Sequence, residues 1–104
     1  MEQALPAIER MIRRITGAQR IGPATRLFHD LSIAGDDAGE LVDQVTETFG
    51  TSFEGFPFDH YFPDESETLL AHLSRRLGTG RVWKPLTVQH LVDVVERGSW
   101  FSPP

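Results

Sequence analysis

The stretch from Leu27 to Val45, LFHDLSIAGDDAGELVDQV, constrains the fold most: an apolar loop ending in Asp30-Leu31 passes through a Gly-Asp-Asp turn into an acidic amphipathic helix. Asp37 followed by Glu40 has the form of a capping box, in which a side-chain oxygen takes up free helix amides and the glutamate reaches back. The helix is therefore expected to start near Asp36 or Asp37. From there Ala38, Leu41, Val42, Val45 and Phe49 recur at helical spacing and predict one buried stripe. Asp36, Glu40, Asp43 and Glu47 fall on another face, so the pattern also predicts an acidic stripe turned outward.

Upstream, Leu5, Ile8, Ile12 and Ile15 recur at three- and four-residue steps. They predict a helix from near Pro6, a residue tolerated in a first turn, to about Thr16, with Gly17 ending it. AQRIGPATRLFHDLSIAG contains Gly22-Pro23 and no sustained period, so it reads as a long ordered loop pinned by Ile21, Leu27, Phe28, Leu31 and Ile33.

After Gly50, the segment TSFEGFPFDHYFPDES crowds together Phe53, Phe56, Phe58, Tyr61 and Phe62. Thr51 to Phe53 has short strand character, while Pro57 and Pro63 limit any helix to one turn around Asp59 to Phe62. The aromatic residues read first as core filling, and their excess leaves a cavity open as an alternative. Asp64 or Ser66 can cap a helix from Glu67 to Leu77, with Leu69, Leu70, Leu73 and Leu77 inward and Gly78 at its end. TGRVWKP then reads as a turn and an extended connector. Thr87 caps a last helix in LTVQHLVDVVERG, where Leu86 and Leu91 make a hydrophobic staple. Val88, Leu91, Val92 and Val95 are expected inward, Gly98 stops the helix, and Trp100 is expected to fold back onto the bundle.

At 104 residues, positions 1–104 are expected to form one all-α domain with one modest core. A net charge of -5 argues against a nucleic-acid partner, which needs a concentrated basic face. Arg10, Arg13 and Arg14 form only a short cluster that reads as a solvated helix face. The absence of cysteine removes disulfides, thiol nucleophiles and thiolate metal sites. MEQALPAIERMIRRI has early acids and no long apolar core, so neither a signal peptide nor a membrane span is expected, and a cytoplasmic monomer is.

The histidine-aspartate pairs His29-Asp30 and Asp59-His60, and His90 ahead of Asp93, lack the three or four converging ligands of a metal site. They read as isolated or capping histidines. No phosphate loop, nucleophile elbow or spaced catalytic dyad is found, so no enzyme, cofactor or metal is expected. Adjacent Asp36 and Asp37 are explained by favourable interaction with the helix dipole.

With these parts in place, the order of elements resembles the acyl carrier protein fold. IERMIRRITG is similar to the start of a carrier's first helix, TRLFHDLSIAG to its loop, GELVDQVTETFG to its second helix and LTVQHLVDVVERG to its last. The resemblance covers most of the chain and implies a compact helical bundle with a long first loop and an inserted helix within roughly Tyr61 to Pro85. GDDAGELV with GFPFDHYFP more closely resembles a bacterial family of uncharacterised carrier-like domains.

One departure is chemical. Carriers attach phosphopantetheine to a serine at the head of the second helix. Here the ungapped count from Asp30-Leu31 places Gly35 at that position, and the local Gly-Asp phrase places Asp37 there. Neither side chain can form the phosphodiester; Ser32, the nearest hydroxyl, comes three residues too early in the ungapped count. The resemblance therefore implies a module without the prosthetic group, which offers its acidic second helix to a basic patch on a protein of acyl-chain metabolism. Its candidate partner-binding residues are Asp36, Asp37, Glu40, Asp43 and Glu47. A working carrier modified at Ser32 and a small His/Asp metal-dependent enzyme are the alternatives.

Overall fold

Apolar residues at helical spacing fold into three core helices and one short turn. In the computed structural model, which describes residues 3–63 and 82–103, these are α1 (Ala4–Thr16), α2 (Gly35–Phe49), α3 (Phe58–Tyr61) and α4 (Val88–Arg97). The fold is all-α: no strand occurs among the described residues. The predicted helix from Glu67 to Leu77, with its caps, lies outside the described residues.

α1 packs against both α2 and α4. Ala7, Ile8, Met11 and Ile12 are its buried face, with Leu5 and Ile15 half-buried at the margins. The helix begins two residues before Pro6. Proline is accommodated because the first-turn amides have no intrahelical acceptor to lose. Gly17 closes α1 in the left-handed conformation and donates its N–H to the Arg13 carbonyl at 2.8 Å.

The capping box at Asp37 and Glu40 does not form. α2 starts at Gly35, earlier than expected, and Ala34 at its N-cap has no side-chain hydrogen bond. The head is fixed by backbone instead: the Gly35 N–H donates to the carbonyl of buried Pro63 at 2.9 Å, and the Asp37 N–H to the Ala34 carbonyl at 3.2 Å. Asp37 thus sits inside the first turn, and Glu40 accepts from Gln44 Nε2 at 2.8 Å rather than reaching back. Gly35 has φ 54°, a left-handed conformation that glycine adopts without steric cost.

α4 has an acceptor for the amide of each of its first three residues, groups that a helix leaves without intrahelical partners at its head. Val88 donates to the Thr25 carbonyl at 2.9 Å and Gln89 to the Pro23 carbonyl at 2.9 Å, while Leu91 makes the first i to i−4 bond, to the Thr87 carbonyl at 3.2 Å. His90 donates to Thr87 Oγ1 at 3.1 Å, so the predicted threonine cap is present. In return the Leu27 N–H donates to the Leu86 carbonyl at 2.8 Å. The long loop is thereby stitched to the head of α4, while Leu27, Phe28 and Ile33 drop into the core and Ile21 and Leu31 pack at its edge.

A second clamp holds the other end. Ser52 donates its N–H to the Gly98 carbonyl at 3.0 Å, and Trp100 donates to the Ser52 carbonyl at 2.8 Å. The strand character of Thr51 to Phe53 thus reduces to a single bridge between Ser52 and Ser99. Trp100 folds back as expected, its ring 4.5 Å from Phe56 and 5.6 Å from Tyr61 between centroids.

His90 is neither isolated nor a capping side chain: it is buried, and its Nε2 donates to the Phe101 carbonyl at 2.8 Å. Its ring packs edge-on against Trp100 and Phe101. The tail thus covers His90; α4 also buries Val94, in addition to Val88, Leu91 and Val92, while Val95 is only half-buried.

Phe56 is the hub of the aromatic segment. It stacks on Tyr61 and meets Phe53, Phe58, Phe62 and Trp100 edge-on. Phe56, Tyr61 and Phe62 are buried, so core filling is the main role of the cluster. The connector ahead of α4 runs beside α3, tied by the Lys84 N–H to the His60 carbonyl at 2.9 Å, and Trp83 is buried edge-on to Phe28.

Thr87→Ala is expected to destabilise the protein by about 1 kcal/mol through loss of the cap. Leu91→Ala should cost more, about 2 to 5 kcal/mol, because Leu91 is fully buried and truncation leaves a cavity. Denaturant melts measure both. An unchanged midpoint for Leu91→Ala would contradict the packing of α4 described here.

Candidate functional site

α2 has two chemically opposite faces. Ala38, Leu41 and Val45 are buried, with Val42 and Phe49 half-buried, whereas Asp36, Asp37, Glu40, Asp43 and Glu47 are all exposed. All five predicted partner-binding residues therefore lie on the solvent side of one helix. None of them forms an ion pair among the described residues. Glu40 has a neutral partner, Gln44, one turn on.

Helix stability accounts for only part of this charge. Asp36 and Asp37 lie in the first turn, where the positive end of the helix dipole favours them. Glu47 lies in the last turn, at the negative end, and no basic residue accompanies it there. At that position a carboxylate opposes the dipole by a few tenths of a kcal/mol, roughly the size of one exposed charge interaction. The acidic surface thus extends past the point where it helps the helix.

The turn leading into α2 is rigidly tied. Asp30 Oδ2 accepts from the backbone N–H of Arg26 at 2.8 Å and from its Nε at 3.2 Å, while Oδ1 accepts from Nη2 at 2.9 Å. The Arg26 side chain first, and then its backbone N–H, hold the Asp30 carboxyl below the ordinary carboxylate range. A lowered folded-state pKa means that this pair stabilises the turn above the ordinary carboxylate value and loses its effect as pH falls through the lowered one. Both side chains are exposed, so the contribution is small.

Ser32 ends this turn with φ 58° and donates its N–H to the Phe28 carbonyl at 2.8 Å, a left-handed cap of the kind that favours glycine. Its side chain is exposed. Gly35 is left-handed too, so a serine placed there would be strained.

Three members of the histidine-aspartate pairs have partners outside those pairs. Asp30 holds Arg26, Asp93 accepts from Gln89 Nε2, and His90 holds Phe101. No group of three or more His, Cys, Asp or Glu positioned to hold a metal ion occurs among the described residues. No helix among them is long and apolar enough to cross a membrane.

Among the described residues, a groove of about 290 Å³ beside the aromatic segment is lined by Tyr61, Lys84, Pro85, Ser102 and Pro103. Sequence reasoning places Tyr61 in the aromatic segment but does not bring Lys84, Pro85, Ser102 and Pro103 to it, because the five come from three separate segments and share no local motif. A weak signal is present nonetheless: Tyr61 is the only tyrosine and Lys84 the only lysine of the chain. Burial raises the pKa of the Tyr61 phenol above its ordinary value, which keeps the hydroxyl protonated.

No curated protein and no solved structure matches the chain. Residues 6–102 match the family described as Protein of unknown function (DUF1493), a span that runs from the first turn of α1 through the tail clamp. With nearly its whole length inside that match, the chain belongs to the DUF1493 family.

Proposed function

We propose that this protein is a binding module, not an enzyme, and that it docks to a protein partner through the acidic face of α2. The observation that carries the reading is the set of five exposed carboxylates, Asp36, Asp37, Glu40, Asp43 and Glu47, on a helix whose other side is anchored in the core. Held on one rigid element, they create a local negative field that a cluster of Arg or Lys side chains complements. The dipole-opposing position of Glu47 supports the same reading, since helix formation does not account for it.

The resemblance to acyl carrier proteins adds the class of partner: an enzyme or regulator of acyl-chain metabolism with a basic patch. Carriers are bound through this helix, and the sequence resembles theirs in the order of its parts, with a long loop before the acidic helix. The module would act without phosphopantetheine, as an unmodified relative of carriers working as a monomer in the cytoplasm. Gly35 supports this part of the proposal, because its left-handed backbone disfavours the serine that carriers need.

Incubation with coenzyme A and a broad-specificity phosphopantetheinyl transferase is expected to leave the intact mass unchanged. A gain of one phosphopantetheine group, abolished by Ser32→Ala, would replace this reading with a working carrier modified at Ser32.

Docking through α2 is expected to weaken as salt rises, because exposed charges are screened over roughly 8 to 10 Å at moderate ionic strength. The double substitution Glu40→Lys, Glu47→Lys should lower recovery of the partner in pull-downs from the native host while leaving the circular dichroism spectrum and melt nearly unchanged. Equal recovery by wild type and double mutant, at both low and high salt, would remove the acidic helix from the mechanism.

A further inference from the structure

We infer that Gly39 is the seat of an arginine side chain of the docking partner, which lays its aliphatic stem over the bare backbone of α2 and turns its guanidinium to a flanking carboxylate. The inference rests on the docking reading of the acidic face and adds to it the point of closest approach.

Gly39 is the fifth residue of α2 and, among the described residues, the only glycine in the interior of a helix. Glycine weakens a helix interior relative to alanine, because it gives up the most backbone freedom on folding. Two features of a fold ordinarily require it. One is a positive φ, which Gly35 and Gly50 at the two ends of α2 have and Gly39 does not. The other is close packing against a neighbour that a Cβ would strike. A Cβ at Gly39 would meet no heavy atom within 4 Å beyond its own stretch of helix. Alanine would therefore fit and strengthen the helix, so folding does not account for the glycine. What the missing side chain leaves is open access to the backbone of α2 from outside the chain.

The surroundings of that spot select its occupant. Residues three and four apart are neighbours on a helix surface, so Gly39 is bordered by Gly35 and Asp36 before it and by Val42 and Asp43 after it. Gly35 adds no side chain and Val42 is half-buried, while Asp36 and Asp43 are exposed and form no ion pair among the described residues. The result is a bare patch with an apolar margin and a carboxylate toward each end, the two set about 10 Å apart along the helix axis. A long side chain with an apolar stem and a cationic head matches both features. Arginine matches them better than lysine, because its flat guanidinium lies close to bare backbone and takes a carboxylate through two parallel hydrogen bonds. A methyl group at position 39 would lift the stem away from the helix.

The test sets stability against binding. Gly39→Ala is expected to raise the melting temperature of the full chain by about 2 to 8 °C, and the same melt shows that the variant is folded. The binding probe is an alanine-based helical peptide with four arginines spaced to match Asp36, Glu40, Asp43 and Glu47. Its titration into ¹⁵N-labelled protein should shift the Gly39 and Asp43 amides saturably. Gly39→Ala should weaken that peptide by about fivefold or more, although it alters no charge, and a peptide with lysines in place of the arginines should bind wild type about threefold more weakly. A Gly39→Ala variant that melts no higher than wild type, or that binds the arginine peptide equally well, would overturn the inference, as would equal affinity for the lysine peptide. The charge-reversed Glu40→Lys, Glu47→Lys protein separates the two levels. Binding lost there but kept in Gly39→Ala leaves the acidic face standing and removes Gly39 from it, whereas no saturable shift in wild type, or full binding by both variants, removes the acidic face as well.

Discussion

The structure depends on the hydrogen-bond closure of α4 at both ends. A ten-residue helix is too short to be stable in water from its own propensity, so it persists only if its ends are satisfied and one side is buried. Here the carbonyls of Pro23 and Thr25 and the Thr87 hydroxyl complete its head, and Ser52 bridges its tail through Gly98 and Trp100. The two irregular segments that would otherwise be loose, the long loop and the stretch after α2, are the ones that supply these partners. Closing α4 therefore orders the loops, and the ordered loops carry Leu27, Phe28 and Ile33 on one side and Phe56 on the other into the core.

The acidic helix inherits its placement from this arrangement. α2 lies on α1, which lies on α4, and its head is fastened by Gly35 to Pro63 at the end of the aromatic segment. Its buried face is small, Ala38, Leu41 and Val45, yet it leaves the opposite face free of structural duty. Charge on that face is therefore open to use in recognition. The same economy appears in the tail, where the His90 bond to Phe101 both covers a flank of α4 and sets one wall of the groove beside Tyr61.

Much of this was legible in the sequence because it rests on local rules. Periodicity located α1, α2 and α4, glycines marked their ends, and Thr87 announced its cap. The capping box at Asp37 and Glu40 failed for a nonlocal reason: the Pro63 carbonyl takes the first amide, and Gly35 adopts a left-handed turn that no spacing rule reveals. His90 was missed as a core residue because the surface that packs on it is the returning tail, tied there by the Ser52 bridge. The acidic face was legible since exposure followed from the apolar stripe opposite it. The groove was not, since Tyr61, Lys84 and Ser102 meet only after the two clamps have closed.

Native-state amide hydrogen exchange tests the closure of α4 most directly. The Leu27 and Ser52 amides belong to irregular segments, yet both donate across the molecule to the ends of α4. They are expected to exchange as slowly as the helix-interior amides of Leu41 and Val94, with protection approaching the global stability. Exchange of Leu27 and Ser52 at the rate of the exposed loop residues Ala24 and Glu54, while the helices stay protected, would contradict the account.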